Sequence, residues 1–517
     1  MCCCLDHRLF RISSMEIKDL APQAVFTHFQ NLCNIPHPSG NERGVAKYLI
    51  NFAQQHGLEC ELEECGNVIL KKKASAGREN SPSLILQGHI DMVPVARNGY
   101  EHNFKVDPIV PRYMDENTAD VNKKMLEICD GPYITATNTT LGADDGLGVC
   151  LMLALLEDKD LSHGPITAIF TVEEESSMKG AIELDPEYLQ GDYLLNLDSE
   201  DHGELFVGCA GSINANVTFI PELVKVVDCT PITLNLTGLR GGHSGCDIHL
   251  GRGNAIDIIC GILAEVSDSN DFFIQKFHGG EIRNSIASSA YVELAVPTNT
   301  IASFKDAARA AMVRYQDLYS DSDPEMHLIL GSCQLQANAL SYTSSQNLIS
   351  LLRALPNGVM RMSSEYKGVV ETSCNLSTVR TKSDAITIAL LPRSLRDHGL
   401  DDVIDKIDSI CSLLDNVEVG FQGRSFGWTS PTESDLIDIL KDEYKKQCGI
   451  DVKITSIHAG LETGYFAKAN PKLKMISLGP TVRCAHSPDE CCSVKHTEQV
   501  YDILKATLER LSQAHYT

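Results

Sequence analysis

The chain has 517 residues, too many for one compact core, so at least two domains are expected. Its 43% hydrophobic and 22% charged content excludes a mostly disordered or collagen-like chain. Forty-four Lys and Arg against 69 Asp and Glu leave a formal net charge of -25, which argues against a nucleic-acid partner and suits an enzyme whose carboxylates hold cations.

At the N-terminus, residues 1–14 carry Cys2, Cys3 and Cys4 but no apolar run of signal-peptide length. With Met15 as a second candidate start, they are expected to form a disordered extension rather than an acylated anchor. No apolar run approaches the roughly 18 residues that cross a bilayer, so no membrane partner is expected. The 19 cysteines are odd in number, scattered and free of any C-x-x-C spacing. That pattern predicts reduced, buried thiols rather than a zinc knuckle or a disulfide framework.

Residues 15–72 predict helices followed by strands, with a turn at 35–42 and Ser39 as the cap of a helix that runs to His56. From residue 84, short apolar runs at 84–86, 166–172, 193–197 and 475–478 alternate with helical stretches. They predict an α/β domain with a mainly parallel sheet flanked by helices. Within it, 146–158 reads as a helix filled with Leu, Met and Ala. Between 212 and 424, alternating strands such as 231–236 and 385–391 mix with helices such as 254–266 and 346–355. That stretch predicts an inserted α+β domain, with two similar halves as a further expectation. It divides the first domain into 15–211 and 425–517.

Each of the four apolar runs leads into polar residues of one chemistry. The first leads to His89 and Asp91, the second to Glu173, Glu174 and Glu175, the third to Asp198 and Glu200, and the fourth, through a loop, to His486. A fifth cluster, Asp144 and Asp145, sits in a glycine-rich turn that opens the helix at 146. In an open α/β sheet, sites form beyond the carboxyl ends of the strands, so all five clusters can converge on one crevice. Imidazole with carboxylate suits Zn2+, Mn2+ or Co2+, and a shared carboxylate can hold two ions about 3.5–4 Å apart. A neighbouring carboxylate that is not a ligand can move the proton of the attacking water, and adjacent Glu174 and Glu175 can divide those roles. Singly, each cluster reads as a surface pair, a charge run or a plain turn. Four strand-end clusters of one ligand chemistry favour a metal site.

The segments QGHIDMV, TTLGADDGLGV, TVEEESSMKGA, LNLDSE, GCAG, GGHSG, HAGLE and GPTVRCAHSPDE resemble the ordered signatures of the aminoacyl-histidine dipeptidases, also called cytosol non-specific dipeptidases. These belong to a larger clan with carboxypeptidase G2 and aminoacylase-like enzymes, and the resemblance runs from about residue 19 to 512. It implies a catalytic domain split by an inserted lid domain, with two divalent ions, Zn2+ first and Mn2+ or Co2+ as alternatives. By motif, His89, Asp144 and Asp198 hold one ion, and Asp144, Glu175 and His486 hold the other. Glu174 falls at the general base, and Asp91 at the carboxylate that orients a metal-bound imidazole. His243 matches a histidine that stabilises the oxyanion. Asn284 and Arg393 resemble residues that grip substrate, and Glu462 is a candidate contact for its amino end. Asp145, Glu173 and Thr463 depart from the residues usual in the family; they bear on substrate preference and metal identity, not on the reaction.

The resulting expectation is a cytoplasmic two-metal dipeptidase acting on unblocked dipeptides, with Xaa-His among them and a homodimer left open. An N-acyl-amino-acid hydrolase or tripeptidase of the same clan uses the same reaction core. A non-catalytic protein that kept the fold is the reading from another class.

Overall fold

A computed structural model describes residues 16–513, so the expected N-terminal extension lies outside the described residues. The chain divides into two compact units. Among the described residues, unit 1 comprises the chain up to Val207, Ser430–Ile454 and the chain from Tyr465 onward; unit 2 comprises Gly208–Thr429 and Thr455–Gly464. The insert therefore begins and ends a few residues outside the expected 212–424. It also takes in a segment that the sequence places in the first domain. Pairing explains the difference: Ala210 N donates to Ala459 O at 2.9 Å, and Thr463 Oγ1 lies 3.8 Å from Cys209 Sγ.

The main sheet of unit 1 is built on β1 (Glu59–Leu62), β2 (Val68–Lys72), β3 (Leu84–His89), β4 (Ile166–Thr171), β5 (Tyr193–Asn196) and β6 (Glu204–Cys209), joined by the strand Lys474–Ser477. Their order across the sheet is β1, β2, β4, β3, β5, Lys474–Ser477, β6. The expected parallel character belongs to the four central strands. β2 on one side and β6 on the other run antiparallel to these, and β1 pairs antiparallel with β2. β3 is buried along its whole length, as a strand covered on both faces must be, which is why it reads as an unbroken apolar run.

The helix Ala143–Glu157 is apolar on every side, and it is buried from Gly146 to Leu156 against the helix Gln23–Cys33 and β3. The helix Arg43–His56 instead buries one stripe, Val45, Leu49, Phe52 and Ala53, and stops at Gly57 in the left-handed region. Ser39 does not cap it. The helix starts after Glu42, and the Ser39 hydroxyl donates to Asp91 Oδ2 at 2.7 Å.

Unit 2 is built on an antiparallel sheet. Its main strands are β7 (Asn214–Phe219), β8 (Cys229–Thr237), β9 (Phe273–Gly279), β10 (Ala290–Pro297), β11 (His327–Gly331), β12 (Val370–Thr381), β13 (Ile386–Ser394) and β14 (Val417–Gln422). Their order is β11, β8, β10, β9, β12, β13, β7, β14. Two halves repeat one plan, strand, helix, two strands, helix, strand. The first is β8, the helix Ala255–Ser267, β9, β10, the helix Ile301–Leu318 and β11. The second is β7, the helix Tyr342–Ala354, β12, β13, the helix Asp397–Cys411 and β14. The halves meet where β9 pairs with β12. Because β7 precedes the entire first half, the second half is interrupted in the sequence, and no contiguous repeat can be seen there. Residues such as Ile258, Ile262, Phe304, Leu348, Leu352 and Ile407 from the four helices bury with alternate strand residues in one core.

Candidate active site

The central strands of unit 1 are parallel, so their carboxyl ends share one edge of the sheet. His89 is the last residue of β3, and Asp198 follows β5 by two residues. Glu174 and Glu175 follow β4 across a left-handed residue, Glu173 (φ 53°), and His486 is itself left-handed (φ 61°) in the loop between the short strands Val482–Arg483 and Cys491–Ser493, beyond Lys474–Ser477. Asp144 stands at the start of the helix Ala143–Glu157 with non-helical backbone (φ -88°, ψ 110°), which turns its side chain off the helix path.

These six positions meet. His89 Nε2 lies 3.1 Å from Asp144 Oδ1 and 3.4 Å from Asp198 Oδ1. His486 Nε2 lies 3.2 Å from Asp144 Oδ2 and 2.9 Å from Glu175 Oε1. Asp144 thus offers one oxygen to each imidazole. Among the described residues, the groups able to hold a metal ion are His89, Asp144 and Asp198; Asp144, Glu175 and His486; and His89, Glu174 and Glu175. In each group the donor atoms lie within 4.8 Å of one another.

The electrostatics call for added positive charge. Burial, reinforced by the Asp144 charge, pushes Glu175 up to about 7. Burial pushes Asp198 up to about 6, with Asp144 adding to it and His89 opposing. Burial also works against a charged His89, yet the Asp198 charge and the hydrogen bonds of Asp144, Asp198 and Asp91 hold it well above its ordinary value. The bonds to Asp144 and Glu175 carry His486 up to about 11. Protons on the two imidazoles supply the charge that the carboxylates require, and divalent cations would supply it with both imidazoles neutral. Nitrogen and oxygen donors of this kind fit a divalent transition metal.

Asp91 is buried beneath the cluster. His89 Nδ1 lies 3.0 Å from its carbonyl oxygen and 3.4 Å from its Oδ1. The same carboxylate accepts from the backbone N–H of Glu174 at 3.0 Å and of Glu175 at 3.2 Å. Below it, Asn196 donates to Gln87 Oε1 at 2.7 Å and Gln87 to Thr171 Oγ1 at 3.1 Å, a buried polar chain across β5, β3 and β4.

Unit 2 gathers a second set. The strand Gly242–His243 pairs with Ser285–Ile286, and Ser244 N donates to Asn284 O at 2.8 Å. His243 Nδ1 accepts from Gly245 N at 3.3 Å and Cys246 N at 3.0 Å, which leaves the ring proton on Nε2 as a donor. Arg393 is buried, its Nη2 is 3.5 Å from Ser244 Oγ, and burial pushes its guanidinium down to about 10. Asn284 is exposed, and Glu462 is buried on the segment that also carries His458.

Sequence reasoning left out several residues. His458 Nε2 sits 2.7 Å from Ser373 Oγ, and burial with the Arg393 charge pushes the imidazole down to about 3. Ser39, Gln87, Thr171, Asn196 and Glu490 complete the framework of unit 1. Their partners are distant in the chain, so no local spacing marks them. Of the three departures, Asp145 is buried and accepts from Gly148 N at 3.2 Å, and Glu173 lies 3.4 Å from Lys179 Nζ.

Residues 140–510 match a family model described as peptidase family M20/M25/M40. The chain is 36% identical over 502 residues to the cytosol non-specific dipeptidase of Escherichia coli (strain K12), covering 96% of this chain and 99% of that protein. The crystal structure of the aminoacylhistidine dipeptidase from Vibrio alginolyticus is similar at 36% identity and a TM-score of 0.82, covering 96% of this chain and 98% of that one. A tripeptidase from Staphylococcus aureus, 16% identical with a TM-score of 0.55 and covering 96% and 100%, shares the fold alone.

Proposed function

The chain belongs to peptidase family M20/M25/M40, and from that membership we propose that it is a metal-dependent dipeptidase hydrolysing unblocked dipeptides of broad sequence, Xaa-His among them. One observation carries the reading: Asp144 presents an oxygen to each of two imidazoles, and a further carboxylate completes either side. On this reading His89, Asp144 and Asp198 hold one ion and Asp144, Glu175 and His486 hold a second. Zn2+ is the first choice, with Mn2+ and Co2+ as alternatives. When bound, such a pair polarises the scissile carbonyl and lowers the pKa of the attacking water.

The Glu174 carboxylate takes a proton from that water and returns it to the leaving amine nitrogen. Asp91 holds His89 by its Nδ1 side and fixes the backbone of Glu174 and Glu175, so base and ligand are aligned by one group. His243, with its proton on Nε2, suits the role of oxyanion donor. Arg393, a buried guanidinium, suits a bidentate grip on the free carboxylate of a dipeptide, with Asn284 and Glu462 as further substrate contacts. Unit 1 is then the catalytic domain and unit 2 the lid. The likeness to a cytosol dipeptidase supports a cytoplasmic location. Among the described residues no helix is long and apolar enough to cross a membrane.

The test is Glu174→Gln assayed on dipeptides, tripeptides and N-acetyl amino acids, with metal content measured in parallel. The expected result is turnover of free dipeptides by the wild type and a loss of about 10²–10⁴-fold in kcat for the variant, with its metals retained. Near wild-type turnover by a fully loaded variant would show that another group is the base.

A further inference from the structure

Glu490 is buried four residues beyond His486, and no step above uses it. Both of its oxygens face backbone. Oε2 accepts from Leu141 N at 2.6 Å and Gly142 N at 3.1 Å; Oε1 accepts from Ala143 N at 2.7 Å and, more weakly, Asp144 N at 3.4 Å. Successive N–H groups converge on one carboxylate because Gly142 is left-handed (φ 72°), and a Cβ there would press on Met92 Sδ at 3.1 Å. The main chain of Glu490 is itself anchored. Its carbonyl accepts from Thr135 Oγ1 at 2.7 Å, its N–H donates to Ser487 O at 3.0 Å, and Cys491 pairs with Thr135. Arg97 ties the same loop through Pro488 O and Asp489.

One carboxylate therefore joins two segments 347 residues apart. One segment carries Asp144 and the other carries His486, and those two side chains meet at 3.2 Å. We propose that Glu490 is a positioning residue that holds the Asp144 loop and the His486 loop in the register needed for both to bind the same divalent cation. The inference rests on the metal-dependent reading above. An ordinary helix cap satisfies one or two N–H groups within its own segment; Glu490 serves four from a distant one. Glutamine would keep the length but turn an NH2 donor toward backbone donors. Aspartate would keep the charge but fall one methylene short of the full set.

Metal-free wild type, Glu490→Gln and Glu490→Asp are titrated with Zn2+ by competition calorimetry, and hydrogen exchange is followed on the same metal-free proteins. The expected result is Zn2+ affinity weakened about 10–100-fold in Glu490→Gln and roughly threefold or more in Glu490→Asp. Exchange accelerates at the amides of residues 141–144 while β3 stays protected. Should Glu490→Gln not fold, Glu490→Asp decides by the same two readouts. Wild-type affinity in a folded variant, or protection lost throughout unit 1, would overturn the proposal. A wild type that binds no Zn2+ rejects the metal-dependent reading itself, and this inference with it.

Discussion

At Asp91 one carboxylate meets four groups: the His89 ring, the Ser39 hydroxyl and the N–H groups of Glu174 and Glu175. Burial alone would raise its pKa, but the bond and charge of His89, with the Ser39 and Glu174 donors, hold it below the ordinary carboxylate value. An H-x-D pair predicts only the first of these contacts. The other three depend on chain 52, 83 and 84 residues away, beyond the reach of any spacing rule. Asp91→Ala is therefore expected to lower kcat about 10–100-fold and to weaken metal binding by a similar factor. Steady-state kinetics with metal analysis checks both. A change in KM alone would assign Asp91 to substrate binding instead.

Among the elements, the helix that opens at Asp144 was the most legible and the most informative. Its apolar residues predict a helix from 146, and the last non-helical residues observed are Asp144 and Asp145. Asp144, which offers an oxygen to each imidazole, thus lies just before regular helix begins, where the backbone is free to aim a side chain. Because the helix is apolar all round, it must be surrounded by protein, and it is a rigid support for the turn that carries Asp144. Leu151 is fully buried in it, so Leu151→Ala is expected to cost about 2–5 kcal/mol of stability. Denaturant unfolding measures that loss. Activity per folded molecule should stay near wild type, and a fall in kcat without a fall in stability would assign Leu151 a direct role in the site.

For the molecule as a whole, half-buried histidines set one limb of the pH response. His202 stacks on His496 with ring centroids 4.3 Å apart. Burial, then the charges of His496 and Lys495, push it down to about 4, with Asp130 opposing. Unfolded histidine takes up a proton near pH 6.5, well above that value. Between those values the unfolded chain binds more protons, so this contribution is complete above about pH 6.5 and is lost as pH falls toward 4. His202→Phe keeps the stacking without the titration. Its melting temperature should gain on that of the wild type as pH drops from 7.5 to 4.5 in calorimetry. A constant gap would show that His202 titrates normally.

By itself the sequence determined which residue types stand at the ends of the central strands, and so the site's chemistry. Apolar runs and the clusters that follow them are local patterns, and parallel strands put their carboxyl ends on one edge whatever their order. Tertiary structure alone decided the rest: the interleaving of two like halves in unit 2, the capture of Thr455–Gly464 by that unit, and the carboxylates of Asp91 and Glu490 reaching backbone far along the chain. The physical reason is that a backbone N–H is the same group in every residue. Which one a buried carboxylate will find is settled only when the chain has folded around it.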